Sequence, residues 1–384
     1  SHWVEHMQFK GTPLFSPGVL DKAISREGGY WNAFTFLDWT TYFETLPAAS
    51  IDLALRLESD RLANSLFKPE DVESERTVII SERQGNENEP SFRLGEEVQA
   101  AAFRVHPYHH EIIGDMSDLE TMTRDDLFQH YQVYYAPNNA VLALAGDFET
   151  ESMLERIRQY YEPLPARPEP PRPRRSEPGQ VGERKVVVEG PGETTYIQVS
   201  HHAPAASADD FFALTVLDSL LSGPSNLNMF GGGISNKTSR LYQALVETEK
   251  AVSVYGGVSA TIDPYLHSLN MIAHPKSSVE AILQATQAEI ERIQETPPSP
   301  EELARAAKQA RAIFAYGSES ITNQAFWLGF SEMFATYDWF TGYLERLAAV
   351  TPAAVQQAAQ VYLRPQNRVT GIYVPQAGKA EMKS

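Results

Sequence analysis

The chain contains no cysteine among its 384 residues. A disulfide framework, a thiolate zinc site and a cysteine nucleophile are therefore excluded. Basic residues are also scarce: 32 Lys and Arg stand against 50 Asp and Glu, and the net charge of −18 makes nucleic acid a poor partner. No apolar run approaches the roughly 18 residues of a membrane span, so no transmembrane helix is predicted. The compartment stays open, because a cysteine-free protein suits the cytoplasm and the periplasm equally.

Proline is concentrated in one stretch, residues 163–178, where seven of sixteen residues are proline. Such a stretch cannot hold a helix or a central strand, and it favours a semi-rigid linker. A long surface loop inside one domain is the alternative. Because the chain is longer than one compact core usually holds, we predict an N-terminal domain over 1–165, a linker over 166–182 and a C-terminal domain over 183–384.

The two sides of this stretch show the same order of elements. On the first side, the strand-like segments GYWNAFTF and WTTYFETL lie between two helical patterns. On the second side, AVSVYGGVSA and YLHSLNMIAH lie between SRLYQALVETEK and SSVEAILQATQAEIERI. Each side then ends with a polar helix and a strand, VLALAGDF and RVTGIYVP. This predicts an α+β fold of two homologous α/β-sandwich-like domains, each a mostly antiparallel sheet covered by helices. Further helices are expected around 300–318 and 323–337.

The first residues, SHWVEHMQFKGT, place His2, Glu5 and His6 in the order H-x-x-E-H. On a helix, two histidines four residues apart project from one face, so they could hold one zinc ion. Glu5 lies on the same side, where it could accept a proton from a metal-activated water as a general base. This is the residue order of the inverted zincins. Two surface histidines beside a glutamate are the alternative interpretation.

A catalytic zinc site needs a third protein ligand. The segment DVESERTVIISERQ has the pattern of a helix, and on it Glu75 and Glu82 are seven residues apart and share one face. From the residues alone, both could equally be ordinary solvated carboxylates.

The chain resembles the pitrilysin or mitochondrial-processing-peptidase family of zinc endopeptidases, as a bacterial-type member with one pair of repeats. The resembling segments occur in the expected order and are HWVEHMQFKGT, REGGYWNAFTFLDWTTYFETLP, ERTVIISERQ, HPYHHEIIG, YYAPNNAVLALAGDF and TSRLYQALVE. The resemblance implies that His2, His6 and Glu82 bind zinc and that Glu5 is the catalytic base. It makes Glu75 the family's accessory glutamate.

The resemblance also implies how substrate is held. An extended peptide would add to a sheet edge at Asn32, Ala33 and Phe34, inside a chamber enclosed by the two halves. Plain strand packing is the alternative for the aromatic residues there. Active members carry an Arg and a Tyr in the second half, and the corresponding residues here are Val246 and Ser253. Tyr255, two residues further on, is the candidate substitute for substrate binding.

The resemblance implies a dimer, which is either a homodimer or a heterodimer with a homologous subunit that carries the missing Arg and Tyr. The loop over 222–239 resembles the glycine-rich loop of the non-catalytic subunit of the mitochondrial enzyme. The resemblance further implies that the N-terminal domain lacks its first strand and helix start.

We therefore expect a zinc-dependent endopeptidase that acts on peptides or unfolded, presequence-like segments. The alternative is a catalytically silent scaffold or peptide-binding subunit. Two other histidine groups are expected to be structural. In HPYHHE, residues 106–111, the proline and the non-helical spacing favour a loop, and in His201–His202 neighbouring side chains on a strand point to opposite sides.

Overall fold

The computed structural model describes residues 1–172, 174–224 and 237–376. Its contacts divide the chain into two compact units, which are described separately. The first unit comprises Ser1–Gly85, His110–Arg174 and Ser320–Met333. The second comprises Asn86–His109, Arg175–Glu319 and the described residues from Phe334 onward. The domain boundaries at 165 and 183 stay a prediction; residues 86–109 and 320–333 are the segments in which these units differ from it.

The described residues form helices and strands, as an α+β fold requires, which confirms the predicted fold class. The helices are α1 His2–Met7, α2 Val19–Arg26, α3 Ile51–Asn64, α4 Pro69–Glu87, α5 Pro90–Ala102, α6 Met116–Thr121, α7 Arg124–Tyr134, α8 Thr150–Tyr161, α9 Phe211–Ser222, α10 Val279–Glu295, α11 Pro300–Tyr316, α12 Ile321–Phe334, α13 Tyr337–Thr341, α14 Tyr343–Ala349 and α15 Pro352–Tyr362. The strands are β1 Tyr30–Thr35, β2 Thr40–Thr45, β3 Arg184–Pro191, β4 Tyr196–His202, β5 Ala251–Val258, β6 Leu266–Ala273 and β7 Arg368–Gln376.

The first unit is built around the antiparallel ribbon of β1 and β2, which confirms the strand pair predicted there. The glycine before β1 is required, because a Cβ on Gly29 would lie 2.7 Å from the carbonyl oxygen of Thr45. Helix α12 reaches this unit from late in the chain. Its Phe326 ring lies 6.0 Å from the Phe34 ring, and its Thr322 hydroxyl lies 2.6 Å from that of Thr45. One face of the ribbon is therefore covered by a helix that is almost 300 residues away in sequence.

The second unit contains a five-stranded sheet in the order β3-β7-β4-β6-β5. The β3–β7 pair is parallel, and the other three pairs are antiparallel. Helix α5 packs closely on one face, because a Cβ on Gly371 would lie 2.3 Å from Val98. On the other face, a Cβ on Gly256 would lie 2.6 Å from Asp218 of α9, a helix in which every residue is buried.

One predicted strand is wrong, and one predicted helix is present over only part of its length. The segment VLALAGDF, residues 141–148, is not a strand: among the described residues no strand pairs with it, and Val141 and Leu142 are exposed. A strand needs a hydrogen-bonded neighbour, whatever its propensity. The helix predicted over SRLYQALVETEK is reduced mainly to a π-helical segment, Tyr242–Val246. It ends early because Glu249 adopts a left-handed backbone conformation with φ 55°.

The proline-rich stretch has neither helix nor strand over its described residues. Its first part is held within the first unit, where Arg167 Nη1 donates to the carbonyl oxygens of Tyr131, Gln132 and Tyr135. Its last part is held within the second unit, where the Glu177 carboxylate accepts hydrogen bonds from three successive backbone N–H groups, those of residues 104–106. No helix among the described residues has the length and apolarity to cross a membrane.

Candidate metal centre

The two histidines of the H-x-x-E-H motif lie on one face of α1, as predicted. Their ring centroids are 4.7 Å apart and the ring planes are inclined at 68°. The helix is short, but Trp3 and Met7 are buried and anchor it. Arg76 of α4 lies over the Trp3 ring, 4.8 Å from its centroid, and this contact holds α4 against α1. The packing thereby brings the carboxylates of α4 next to the histidines.

Glu82 of α4 faces both imidazoles. One of its carboxylate oxygens lies 3.7 Å from His2 Nε2, and the other lies 3.6 Å from His6 Nε2. The three potential ligand atoms all lie within 4.8 Å of one another, and no other such group occurs in the described ranges. Zinc–ligand bonds of about 2.0–2.1 Å in a tetrahedron place neighbouring ligand atoms about 3.3 Å apart. The two distances from Glu82 to the histidines, 3.7 and 3.6 Å, exceed a hydrogen bond and are close to this value, so the donor set fits a zinc ion.

Glu75 supports this group from behind His6. Its Oε1 lies 2.9 Å from His6 Nδ1, and Lys10 forms an ion pair with its other oxygen. Because a carboxylate only accepts hydrogen bonds, Nδ1 carries the proton and Nε2 keeps its lone pair toward Glu82. Burial opposes ionisation of both partners, but their hydrogen bond and charges outweigh it. The pKa of Glu75 is lowered, and the pKa of His6 is raised.

The His2 imidazole is held in the form that a metal ligand needs. Burial lowers the pKa of His2 to about 4, and the charges of His6 and the amino terminus act in the same direction. A neutral ring offers a lone pair at neutral pH. Its Nδ1 is buried and has no hydrogen-bond partner among the described residues.

Glu5 is buried on the same helix and stands outside the group of potential ligands. Its carboxylate accepts a hydrogen bond of 2.6 Å from the Thr35 hydroxyl. Burial raises the pKa of Glu5, although the Thr35 hydrogen bond and the charge of His6 oppose the change. A carboxylate with a raised pKa is a stronger base, so its environment suits proton transfer.

Lys10 and Thr35 are contacts that the sequence analysis missed. Lys10 lies beyond the end of α1, and Thr35 is 30 residues from Glu5. Neither spacing is that of one helix face or one strand face, so only the tertiary fold brings these residues to the motif.

The candidate peptide-binding strand is β1. The Phe36 N–H donates to the Trp39 carbonyl and closes the hairpin. Hydrogen bonding alternates along an antiparallel pair, so the backbone groups of Trp31, Ala33 and Thr35 face the outer edge, along which none of the described strands runs. The Ala33 N–H is bonded to the Asn32 side chain at 2.9 Å. Phe34 instead pairs with β2, and its ring packs on Trp39 and Phe326, which favours a structural role for that side chain.

The second-half residues Val246, Ser253 and Tyr255 belong to the second unit. Val246 ends the π-helical segment, and the other two lie on β5. Tyr255 is 53% exposed, and burial together with the unfavourable charge interaction with Tyr196 raises its pKa, so its hydroxyl remains a donor at neutral pH. Most of the glycine-rich loop, residues 225–236, lies outside the described residues.

The other histidine groups make separate contacts. His106 Nε2 lies 3.2 Å from Asp263, whereas His110 lies 3.3 Å from Asp115. On β4, His201 is buried and His202 hydrogen-bonds to the Ala102 carbonyl. The two neighbours thus have different surroundings, as strand alternation requires.

Comparison with known proteins extends over most of the chain. The family model described as insulinase, peptidase family M16, matches residues 1–116, and the model described as the peptidase M16 inactive domain matches residues 121–310. A zinc protease of Helicobacter pylori, PqqE, is 28% identical over 330 residues, which are 85% of this chain and 72% of that protein.

Two further relatives extend this comparison. A probable mitochondrial-processing peptidase subunit beta of Arabidopsis thaliana is 30% identical over 168 residues, which are 44% of this chain and 32% of that protein. The crystal structure of a protease from Helicobacter pylori superposes with a TM-score of 0.89 at 25% identity, over 97% of this chain and 88% of that one. Both domain models, these relatives and the H-x-x-E-H geometry agree, and the chain belongs to peptidase family M16.

Proposed function

We propose that this protein is a zinc-dependent endopeptidase that hydrolyses peptides or unfolded, presequence-like segments. One observation carries the proposal: His2, His6 and Glu82 direct three potential ligand atoms at one point, and the buried, non-ligating Glu5 lies on the same helix. The relatives named zinc proteases support the same chemistry.

The proposed roles follow from the surroundings of each side chain. His2, His6 and Glu82 would hold the zinc ion, which would act as a Lewis acid on the peptide carbonyl and on water. Glu5 takes the proton of the attacking water and later delivers a proton to the leaving amine. Glu75 fixes the ring orientation and tautomer of His6 through its hydrogen bond to Nδ1.

We further propose that substrate binds as an extended strand along the outer edge of β1. Ala33 would supply main-chain hydrogen bonds, and the Asn32 side chain, which now occupies the Ala33 N–H, would move aside. Thr35, at the end of the strand, contacts Glu5, so a peptide on this edge would run toward the base. This arrangement favours extended over folded substrates.

The proposed assembly is a dimer, either a heterodimer with a homologous subunit that supplies the Arg and Tyr, or a homodimer, in which both copies would lack the pair. The family resemblance assigns the positions of these two residues to Val246 and Ser253, and neither can donate the hydrogen bonds of an arginine. Tyr255 is the proposed substitute for the tyrosine. The relative named as a peptidase subunit is consistent with such a pairing.

A catalytically silent scaffold or peptide-binding subunit is the second candidate. The observation that favours it is the same pair, Val246 and Ser253, together with a C-terminal family model described as inactive. The two candidates differ in what Glu5 does. A peptidase needs this carboxylate for turnover, whereas a scaffold does not.

The test is zinc content and peptide cleavage by the full chain, with and without a homologous subunit that carries Arg and Tyr. We expect about one zinc per chain. Glu5→Gln should keep the zinc and reduce cleavage of a basic fluorogenic peptide by about 10²–10⁴-fold, the usual contribution of a general base. Glu70→Gln, an exposed glutamate on α4, is the control. Absence of zinc after its addition would overturn the proposal, and zinc without cleavage in any combination would favour the scaffold.

A further inference from the structure

Thr35 links the outer edge of β1 to the carboxylate of Glu5. It is the last residue of β1 and stands opposite Thr40 in the ribbon. Its hydroxyl donates to Glu5 Oε2 at 2.6 Å and lies 3.1 Å from the Thr40 hydroxyl. The distance to Glu5 is typical of a strong hydrogen bond to an ionised acceptor. Among the described residues, this is the one side-chain hydrogen bond to Glu5 that the structure contains.

The hydrogen bond determines which oxygen of Glu5 remains available. Glu5 Oε2 accepts the hydrogen bond from the hydroxyl, so Oε1 is the oxygen without a side-chain donor and is the acceptor for a proton from substrate or water. Without this donor, the plane of the carboxylate could rotate away from this orientation, because terminal carboxylate torsions are broad. A general base must hold its accepting atom within hydrogen-bond reach of the proton that it takes.

The backbone of Thr35 adds a second connection. Its N–H and C=O face the outer edge of β1 together with those of Ala33, because the Thr35–Thr40 pair is of the non-hydrogen-bonded type. A peptide that pairs with this edge would therefore bond to the residue whose side chain holds the base. Thr35 would therefore bind the substrate through its backbone and orient the base through its side chain.

We propose that Thr35 is a positioning residue that orients the Glu5 carboxylate for proton transfer. This inference rests on the proposed peptidase function. The inference is that the Thr35 hydroxyl, and no other part of the residue, affects turnover. Its loss should have little effect on substrate affinity.

The experiment compares three variants of the full chain. Thr35→Val removes the hydroxyl at nearly constant shape and should lower kcat at least tenfold with KM changed less than twofold, since small misplacements of a catalytic group cost up to about 10²-fold. Thr35→Ser keeps the hydroxyl and should restore most of kcat. Thr41→Val, on the opposite face of the same ribbon, is the matched control and should resemble the parent. Zinc content should be the same in all four proteins.

A second readout does not depend on activity. Thermal unfolding of Thr35→Val, Glu5→Ala and the double variant forms a cycle in which the shifts in Tm should be non-additive if the two side chains interact. Additive shifts would overturn the inference, and so would an unchanged kcat in Thr35→Val or a loss that Thr35→Ser fails to restore. A parent protein that binds zinc and never cleaves would contradict the proposed function, while the cycle would still decide whether Thr35 holds Glu5.

Discussion

Both units contain histidines close to carboxylates. The two groups differ in whether the histidine nitrogens and the carboxylate oxygens are already hydrogen-bonded to each other. In the first unit, the Glu82 oxygens stand 3.6–3.7 Å from the His2 and His6 Nε2 atoms, and the Glu82 side chain is 42% exposed. In the second unit, His267 Nε2 lies 2.9 Å from Asp218, and both side chains are fully buried. The ligand atoms of the first group point at one place without a hydrogen bond between them, so they can bind an ion. The His267–Asp218 pair is hydrogen-bonded and fully buried, so it leaves no room for one.

The second-unit group has the features of a structural network. Ser222 donates to the same Asp218 oxygen at 2.9 Å, and Gly256 packs so closely that a Cβ would lie 2.5 Å from the Ser222 hydroxyl. His201, opposite His267 in the β4–β6 pair, is buried, and within the described part of the chain neither of its ring nitrogens has a hydrogen-bond partner. A cluster of titratable residues therefore does not by itself identify a functional site. A site is indicated when the side chains are partly exposed and their potential ligand atoms point at one place.

The largest effect expected from this comparison is the loss of zinc on Glu82→Gln. Replacing one of three protein ligands should remove stoichiometric zinc and cleavage while the fold persists. Asp218→Ala should do the opposite: it keeps the zinc but lowers the free energy of unfolding by about 1–3 kcal/mol, because His267 and Ser222 lose their buried acceptor. Metal analysis and urea unfolding of both variants check the contrast. Zinc loss in Asp218→Ala would contradict it.

A smaller effect is expected for Glu75, which contacts a ligand without being one. Glu75→Gln weakens the hydrogen bond that fixes His6 and leaves Lys10 without its ion-pair partner. Loss of such a supporting group typically lowers metal affinity about 10–100-fold. Competition with a chelator measures the affinity. Glu70→Gln, which changes an exposed glutamate on the same helix, should leave it unchanged; equal effects in both variants would refute the supporting role.

The comparison also indicates what the sequence could predict. The helix that carries His2 and His6, the helix that carries Glu75 and Glu82, and the β1–β2 ribbon follow local periodicity, and each is present. The strand expected at 141–148 failed because strand formation depends on a partner. Helix α12 on the ribbon, and Thr35 and Lys10 at the site, depend on contacts between distant segments that no spacing encodes.

The buried network of the second unit should also make the stability of the protein depend on pH. Burial keeps the pKa of His201 well below its ordinary value of 6.5, with the charges of His267 and Arg368 acting in the same direction. The unfolded chain therefore binds more protons below pH 6.5, and stability falls as the pH drops through that value. Between pH 7.5 and 5.5 we expect a loss of about 1 kcal/mol from this residue.

Urea unfolding of the parent and His201→Leu at the two pH values measures this loss. The variant should have a shallower pH dependence than the parent, because its residue 201 no longer takes up a proton on unfolding. His110→Gln, at an exposed position, is the control. Equal pH dependence in the parent and His201→Leu would exclude a neutral, buried His201.

The smallest effect concerns whether the second unit contributes to chemistry at all. The exposed hydroxyl of Tyr255 is a donor at neutral pH, and a single hydrogen bond of ordinary strength corresponds to about a threefold to tenfold change. Tyr255→Phe should therefore lower kcat/KM by that factor and leave zinc content unchanged. Val252→Ala, also exposed on β5, is the matched control. If Tyr255→Phe matches the parent in kcat/KM, the Tyr255 hydroxyl takes no part in turnover, and this residue is not the substitute for the missing tyrosine.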